Sequence, residues 1–324
     1  MKNFKSFILI FAIMLTTLLV GCGSDTEQNS TDATNTEVTQ QEDNGKVIDR
    51  EGNEVTLPEK ADKIISLAPS ITETLVNLGL ADKLVAVDKY SLEVLKENGI
   101  EDLPVFDIMS PDAENIVALQ PDIIFGTGMS KSDGTDPFAP MVEMGAFVTV
   151  VPTSTSIEGI KEDILYIGKV TKTEEAAQKI VDDYQAKIDE ILAKINKAKT
   201  DEKIKVYFET SPMPKAYTFG QETFLNDMLN MLGAENIFGD QTGWIPVSEE
   251  QVVAKNPSVI LTNAGFLETP VEDIKNRSGW ENIDAVKNNN VFLIDKNTSA
   301  RANENSIVAF EQMAQALYPS VFEN

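Results

Sequence analysis

Apolar positions change their period repeatedly along this chain, and each change marks an element. KIISLA (63–68) is a tight apolar run and reads as a buried strand. At 70–79 the spacing shifts to three and four, a helix stopped by Gly79, with Ser70-x-x-Glu73 as its capping box. A short strand follows at 84–88, then a helix opened by Ser110-Pro111, with Pro at its first helical position. The strand 122–126 leads into a Gly/Ser/Asp loop at 127–136, a short helix at 137–144 and a strand at 146–151. Thr155-x-x-Glu158 caps a helix over 157–169. Further on, strands at 204–209, 259–263 and 291–295 are separated by helices at 222–231, 249–255 (capped by Ser248-x-x-Gln251) and 305–317. Strand and helix alternating in this way predicts an α/β fold with mainly parallel central sheets.

One stretch breaks the rhythm. Residues 171–199 contain no Gly or Pro, open on Thr171-x-x-Glu174, and carry Ala177, Ile180, Val181, Tyr184, Ile188, Ile191, Leu192 and Ile195 on one stripe. This predicts a single long, rigid α-helix. The segments on either side resemble each other: ENIVALQPDIIFGTG (114–128) matches EQVVAKNPSVILTNA (250–264), and LVNLGLADKL (75–84) resembles MLNMLGAENI (228–237). Two similar lobes bridged by the helix would leave such a repeat. The alternative is a surface helix inside one domain. The expected divisions are 46–170 for the first lobe, 171–199 for the bridge and 200–324 for the second.

The first 45 residues follow other rules. Lys2 and Lys5 precede a short apolar run, a signal peptide over 1–21, and Leu19-Val20-Gly21-Cys22 resembles a bacterial lipobox. Cys22 is the sole cysteine, which favours lipidation over an uncleaved anchor helix with an incidental thiol. Residues 22–45 are then the lipidated Cys and a disordered polar tether, too poor in apolar residues to bury a core. The folded part is expected on the outer face of the cytoplasmic membrane or in the periplasm, touching the membrane through its anchor only.

Charge and composition narrow the chemistry. The 324 residues carry 52 acidic against 27 basic side chains, a formal charge of −25, which disfavours nucleic acid as a partner. With no His and one Cys, a His-dependent triad, His-ligated zinc or haem, and internal disulfides are excluded. The nearest hydrolase-like string, Gly126-x-Gly128-x-Ser130-x-Ser132, lacks the closing Gly of a nucleophile elbow. An enzyme is not expected. A lipid-anchored enzyme acting through carboxylates, or a surface adhesion or scaffold protein, remains the alternative.

The lipobox, the tether, IISLAPSITETLVNLGLADKLVAV, the PDII strand, the long central helix, MLGAENIF and SEEQVVAKNPSVIL occur together and in this order. The combination resembles the substrate-binding lipoproteins of ABC importers for vitamin B12, ferric siderophores and haem. The resemblance implies two α/β lobes bridged by one helix with the ligand cleft between them, and a permease and its ATPase as partners. It also implies docking on the permease through one acidic residue per lobe, here Glu73 in SITETL and Glu235 in GAENIF. Glu73 has a competing role as the last residue of its capping box. Arg301 stands where relatives carry a basic residue before the last helix, but in ARANENS rather than a Pro-rich setting.

Ligands of parallel sheets lie beyond the carboxyl ends of the strands. Loops there hold Tyr90, Met109, Met129, Lys131, Tyr217, Phe219, Phe266 and Arg301, and Trp244 lies in a separate loop. Aromatic and Met side chains on loops suit a large, greasy chelate; each one could instead be a lid over its own lobe's core. Tyr90 and Tyr217 lead, being flanked by polar residues. A ferric siderophore and a cobalamin are expected about equally and haem less. The chelate would be held through its organic shell, with no protein metal ligands and no resident cofactor. The chain is expected to be a monomer, and its bridge to permit only small lobe movements.

Overall fold

The computed structural model describes residues 45–322 apart from 132, 133, 135 and 201. They belong to one compact unit, Asn44–Asn324; the expected signal peptide, Cys22 and nearly all of the tether lie outside the described residues. Among those described, no helix is long and apolar enough to cross a membrane.

A hairpin of β1 (Lys46–Ile48) and β2 (Glu54–Thr56) leads into the first sheet. That sheet contains β3 (Ile64–Ser66), β4 (Leu84–Asp88), β5 (Val105–Phe106), β6 (Ile123–Thr127) and β7 (Val148–Val151). Their order is β5-β4-β3-β6-β7, parallel throughout. Connecting them are α1 (Pro69–Asn77), α2 (Ser91–Glu97), α3 (Ala113–Ala118) and α4 (Ala139–Glu143). Next come α5 (Ile157–Thr171) and α6 (Glu174–Ile195).

The second half repeats the plan. It holds β8 (Lys205–Glu209), β9 (Tyr217–Phe219), β10 (Glu235–Asn236), β11 (Trp244–Pro246), β12 (Val259–Thr262) and β13 (Val291–Leu293). Four of these form a parallel sheet in the order β10-β8-β12-β13, while β9 and β11 pair as an antiparallel ribbon. The helices are α7 (Phe224–Met231), α8 (Glu249–Lys255), α9 (Pro270–Lys275), α10 (Asp284–Lys287), α11 (Lys296–Ala300), α12 (Ser306–Leu317) and α13 (Pro319–Phe322). In each sheet the first strand is an inner one flanked on both sides, β3 by β4 and β6 and β8 by β10 and β12. The sequence repeat has a backbone counterpart: Gln120 and Asn256, each just before a Pro, both take left-handed φ values of 51° and 43°. Gly79 and Gly233 likewise end α1 and α7 with φ of 78° and 79°, a conformation in which a Cβ would be strained.

The long predicted helix is found, but shorter. Thr171 ends α5, donating its hydroxyl to the Ile167 carbonyl at 2.8 Å, so it caps nothing. Lys172 turns left-handed (φ 61°) and α6 starts at Glu174. A two-residue link makes α5 and α6 a helical hairpin, packed so closely that a Cβ on Gly168 would sit 2.3 Å from that of Ala177. The 22 residues of α6 reach ~33 Å at 1.5 Å each. Its stripe of Ala177, Val181, Tyr184, Ile188, Ile191 and Ile195 is buried. The same apolar cluster includes Ile64 and Leu75 from the first lobe and Phe208, Leu225 and Phe310 from the second. Just past α6, Lys199 donates to the Met231 carbonyl at the end of α7 at 3.0 Å.

Other caps shift by a residue or two. Ala68 precedes α1 with Pro69 in its first turn, so the Ser70–Glu73 box does not form. Pro fits there because its missing N–H needs no partner. Ser156, not Thr155, caps α5 through the Gly159 N–H at 3.0 Å, and Asp112 rather than Pro111 opens α3. The Ser248–Gln251 box forms as read.

Candidate functional site

Segments at the strand ends of the first lobe meet the segment between α11 and α12 of the second at a partly open cavity of about 100 Å³. The first lobe supplies 68–71 after β3, Ile108 after β5, Thr127 and Met129 at β6, and 151–153 after β7; α5 adds Asp163, and the second lobe adds 300–303. Residues 152–153 held no candidate in the sequence reading, although they too follow a predicted strand. Asp163 gave no signal, because it sits inside a helix.

Two charged side chains stand on the cavity wall among the described residues, Arg301 and Asp163. Asp163 is buried; Arg50 Nε reaches its Oδ1 at 2.6 Å and Ser154 Oγ its Oδ2 at 2.5 Å. Burial holds this carboxyl above the ordinary range, with Ser154 and Arg50 pulling it back. Arg301 donates through Nη1 to Glu73 Oε1. Asn303 Nδ2 donates to the other Glu73 oxygen at 2.5 Å and to the Ser70 carbonyl at 3.1 Å. Next to these, Glu304 is buried and accepts from Thr74 Oγ1 at 2.8 Å and Asn77 Nδ2 at 2.7 Å. The start of α12 is thereby clasped to α1 across the two lobes.

The residues expected to contact a ligand divide into three groups. Tyr90, Met109, Met129, Tyr217, Trp244 and Phe266 are exposed, each by 43–61 %. Met129 lines the cavity with Arg301; the other five are not on its wall. An Asx turn presents Met109, with Asp107 Oδ1 accepting from its N–H at 2.7 Å. Lys89 lies over the Tyr90 ring at 4.7 Å and Lys296 over the Phe266 ring at 5.9 Å. Trp244 lies in β11 rather than a loop, and Tyr217 opens β9 on the same ribbon.

Phe219 is a correction. Fully buried, it contacts Phe208 at 5.4 Å and supports Trp244 edge-on at 5.8 Å, so it belongs to the core. Lys131 and Arg301 are found in ion pairs. Lys131 reaches Glu51 at 2.9 Å and Asp136 at 3.6 Å; burial works against its charge, but these carboxylates hold its pKa above the ordinary lysine value. On the second lobe, Arg277 is bidentate to the buried Glu209 at 2.7 and 3.1 Å and lies 4.2 Å from the Trp280 ring.

The two acidic residues expected to dock differ. Glu235 is exposed on the edge strand β10, paired in register with Lys205, beside a polar groove of about 640 Å³. Glu73 has a side chain only 12 % exposed, with both oxygens taken by Arg301 and Asn303. No cluster of metal-ligating side chains occurs among the described residues.

The sequence profile described as periplasmic binding protein matches residues 64–298. The ABC transporter substrate-binding lipoprotein YvrC of Bacillus subtilis is 32 % identical over 98 % of this chain and 96 % of its own length. The vitamin B12-binding protein of Vibrio parahaemolyticus is 27 % identical, covering 79 % of this chain and 90 % of that one. Among solved structures, a possible iron-binding (periplasmic solute-binding) protein from Staphylococcus epidermidis superposes with a TM-score of 0.67 at 29 % identity, covering 80 % of this chain and all of that one.

Proposed function

The chain belongs to the periplasmic binding protein family, and from that premise we propose that it captures a metal chelate, a ferric siderophore or a cobalamin, and delivers it to an ABC importer permease and its ATPase. It binds a solute and is not an enzyme, as its relatives are substrate-binding proteins. One observation carries the ligand class. Six large apolar side chains, Tyr90, Met109, Met129, Tyr217, Trp244 and Phe266, stand in water on segments at the carboxyl ends of the strands of both sheets or on the ribbon beside them. Exposed apolar groups gathered at a ligand-binding edge gain free energy when an organic surface covers them. A chelate offers such a surface and encloses its own metal, so the protein need supply no metal ligand.

In this reading residues 46–170 and 200–324 act as the two lobes, and α6, within the expected 171–199, as the bridge. Cys22 carries the lipid that keeps the protein at the outer face of the membrane, the position implied by the lipoprotein relative. Glu235, exposed on its edge strand, is the docking carboxylate of the second lobe. The test is a titration of the purified protein with cyanocobalamin and with ferric siderophores, followed by tryptophan and tyrosine fluorescence. Of the two Trp residues, Trp280 is buried and Trp244 is half exposed, so saturable quenching reports on Trp244. Absence of saturable change with every chelate would sink the reading.

A further inference from the structure

The β1–β2 hairpin lies along α5. Val47 is buried in the same apolar cluster as Ile160, Ile164 and Ile167 of α5, and Val55 and Leu57 pack against it. Just past the last turn of α5, Lys172 donates to the Glu59 carbonyl. Near its first turn, Arg50 reaches Glu162 at 2.7 Å and Asp163 at 2.6 Å. The hairpin turn is fixed internally, because the Asp49 carboxylate accepts from the N–H groups of Glu51 at 2.9 Å and Asn53 at 2.7 Å. Beside Arg50, Glu51 holds the Lys131 ammonium through both carboxylate oxygens, at 3.0 and 2.9 Å. Two successive residues of one turn therefore grip α5 at Asp163 and the segment 128–131 at Lys131. Asp163 and Met129 both stand on the cavity wall. The segment 128–131 is held weakly by its own polar groups: the Met129 N–H reaches Thr127 Oγ1 at only 3.4 Å, and Ser130 Oγ is buried with no hydrogen-bond partner among the described residues.

We propose that the 49–53 turn is a positioning element of the ligand site, in which Glu51 acts through Lys131 to fix where Met129 stands. The proposal rests on the chelate-binding reading and deepens it by naming what orders one of its contact residues. Met129 is 61 % exposed, and its unbranched thioether side chain turns about three bonds. Such a group adds to affinity only as far as it is ordered before the ligand arrives. Lys131, expected from the sequence to contact the ligand, has its charge met by Glu51 at 2.9 Å and by Asp136 at 3.6 Å. Its work is to hold the segment rather than the ligand. The Lys131 and Glu51 side chains are 27 and 33 % exposed, and an ion pair so open to water adds little to global stability. Its loss is therefore felt at the site and not in the fold.

The experiment is a double-mutant cycle in affinity, read with whichever of cyanocobalamin, ferric citrate and ferrioxamine B binds the purified wild type most tightly. The variants are Glu51→Gln, Lys131→Gln and the two together, with Glu51→Gln repeated in a Met129→Ala background. The expected result is that each single variant binds about fivefold more weakly, and that the double variant is no weaker than either single one. In the Met129→Ala background, Glu51→Gln should make no further difference. Urea midpoints should match those of the parent proteins throughout. The two substitutions change the local charge in opposite directions, so a lysine that met the ligand's charge itself would make the single variants shift affinity in opposite directions. That outcome overturns the proposal and leaves the chelate reading standing. So do losses that add in the double variant, a loss that persists without Met129, unchanged affinity in every variant, and urea midpoints that fall in step with affinity. If none of the three chelates binds the wild type, the chelate reading falls and this proposal with it.

Discussion

The carboxylate of Asp227, on α7 of the second lobe, accepts a 2.8 Å hydrogen bond from the backbone N–H of Ile157, the first residue of α5 in the first lobe. Ser156 satisfies the Gly159 N–H of the same turn, so two of the free donors of α5 are met, one from each lobe. A negative group at a helix N-terminus also suits the helix dipole. Asp227→Ala should therefore cost about 1 kcal/mol of stability, and Asp227→Asn, which can still accept the bond, less. Urea unfolding midpoints decide it; an unchanged midpoint for the alanine variant would make the contact incidental.

Lobe movement should be small. Asp227 ties α7 to α5, and Asn303 and Glu304 tie the start of α12 to α1. Between them runs α6, which has no Gly or Pro at which to kink. Small-angle scattering with and without a bound chelate should give the same radius of gyration within error, whereas a clear contraction would mean that these contacts break on binding.

Phe219 and Trp244 touch, but their truncations should have different effects. Phe219→Ala removes a fully buried ring and should cost about 3–5 kcal/mol of stability. Trp244→Ala removes a half-exposed ring and forfeits about 1 kcal/mol of edge-on contact with Phe219. Its main effect should be on chelate affinity, by about thirtyfold if it is an anchor of the ligand. Equal affinity for the Trp244 variant and wild type would remove that residue from the site.

The contrast between these two rings marks the limit of what the sequence discloses. The strand–helix alternation, the buried stripe of α6 and the paired Gln-Pro and Asn-Pro turns were all legible, because period and backbone restriction are local properties. Phe219 was not, since a ring between Thr218 and Gly220 looks the same whether it faces solvent or a neighbouring strand. Its partner strand, β11, is three residues long and includes a proline, too little for a periodic signal. Capping boxes were misplaced where a competing residue nearby, Pro69 or Ser156, set the helix start. Glu73 and Arg301 are 228 positions apart, and nothing in either segment announces the other. Exposure and ion pairing are products of the tertiary fold, so sequence could nominate Glu73 and Glu235 alike but not tell them apart.

Glu235 lends itself to a clean separation of docking from binding. It is exposed on an edge strand and pairs in register with Lys205. Glu235→Lys sets two lysines opposite each other, which costs a few tenths of a kcal/mol. The purified variant should keep its chelate affinity and its unfolding midpoint to within about 0.5 kcal/mol, while uptake by cells carrying only this variant should fail. Normal uptake would take Glu235 out of the docking surface; lost affinity would place it in the fold or the ligand site.

Glu304 makes a prediction with a definite sign. Its carboxyl is buried and held above the ordinary glutamate range, chiefly by that burial, although Asn77 and Thr74 pull it back. A raised folded-state pKa means that the folded chain holds the proton more tightly than the unfolded one. The contribution to stability is thus present in full below the unfolded value and is lost as pH rises through the folded value. Glu304→Gln copies the protonated state at every pH. Its amide oxygen can accept from Asn77, and its NH₂ can donate to Thr74 Oγ1 once that hydroxyl turns its hydrogen from residue 304 to the Ser70 carbonyl, 3.2 Å away. At neutral pH the variant should therefore be more stable than wild type by about 1 kcal/mol. That advantage should close as pH falls toward the ordinary glutamate value of about 4.3. Urea midpoints of the two proteins across this range give the difference directly. A gap that stays flat, or widens on acidification, would mean that Thr74 and Asn77 fully compensate the buried charge and that Glu304 is ionised in the folded protein at no cost.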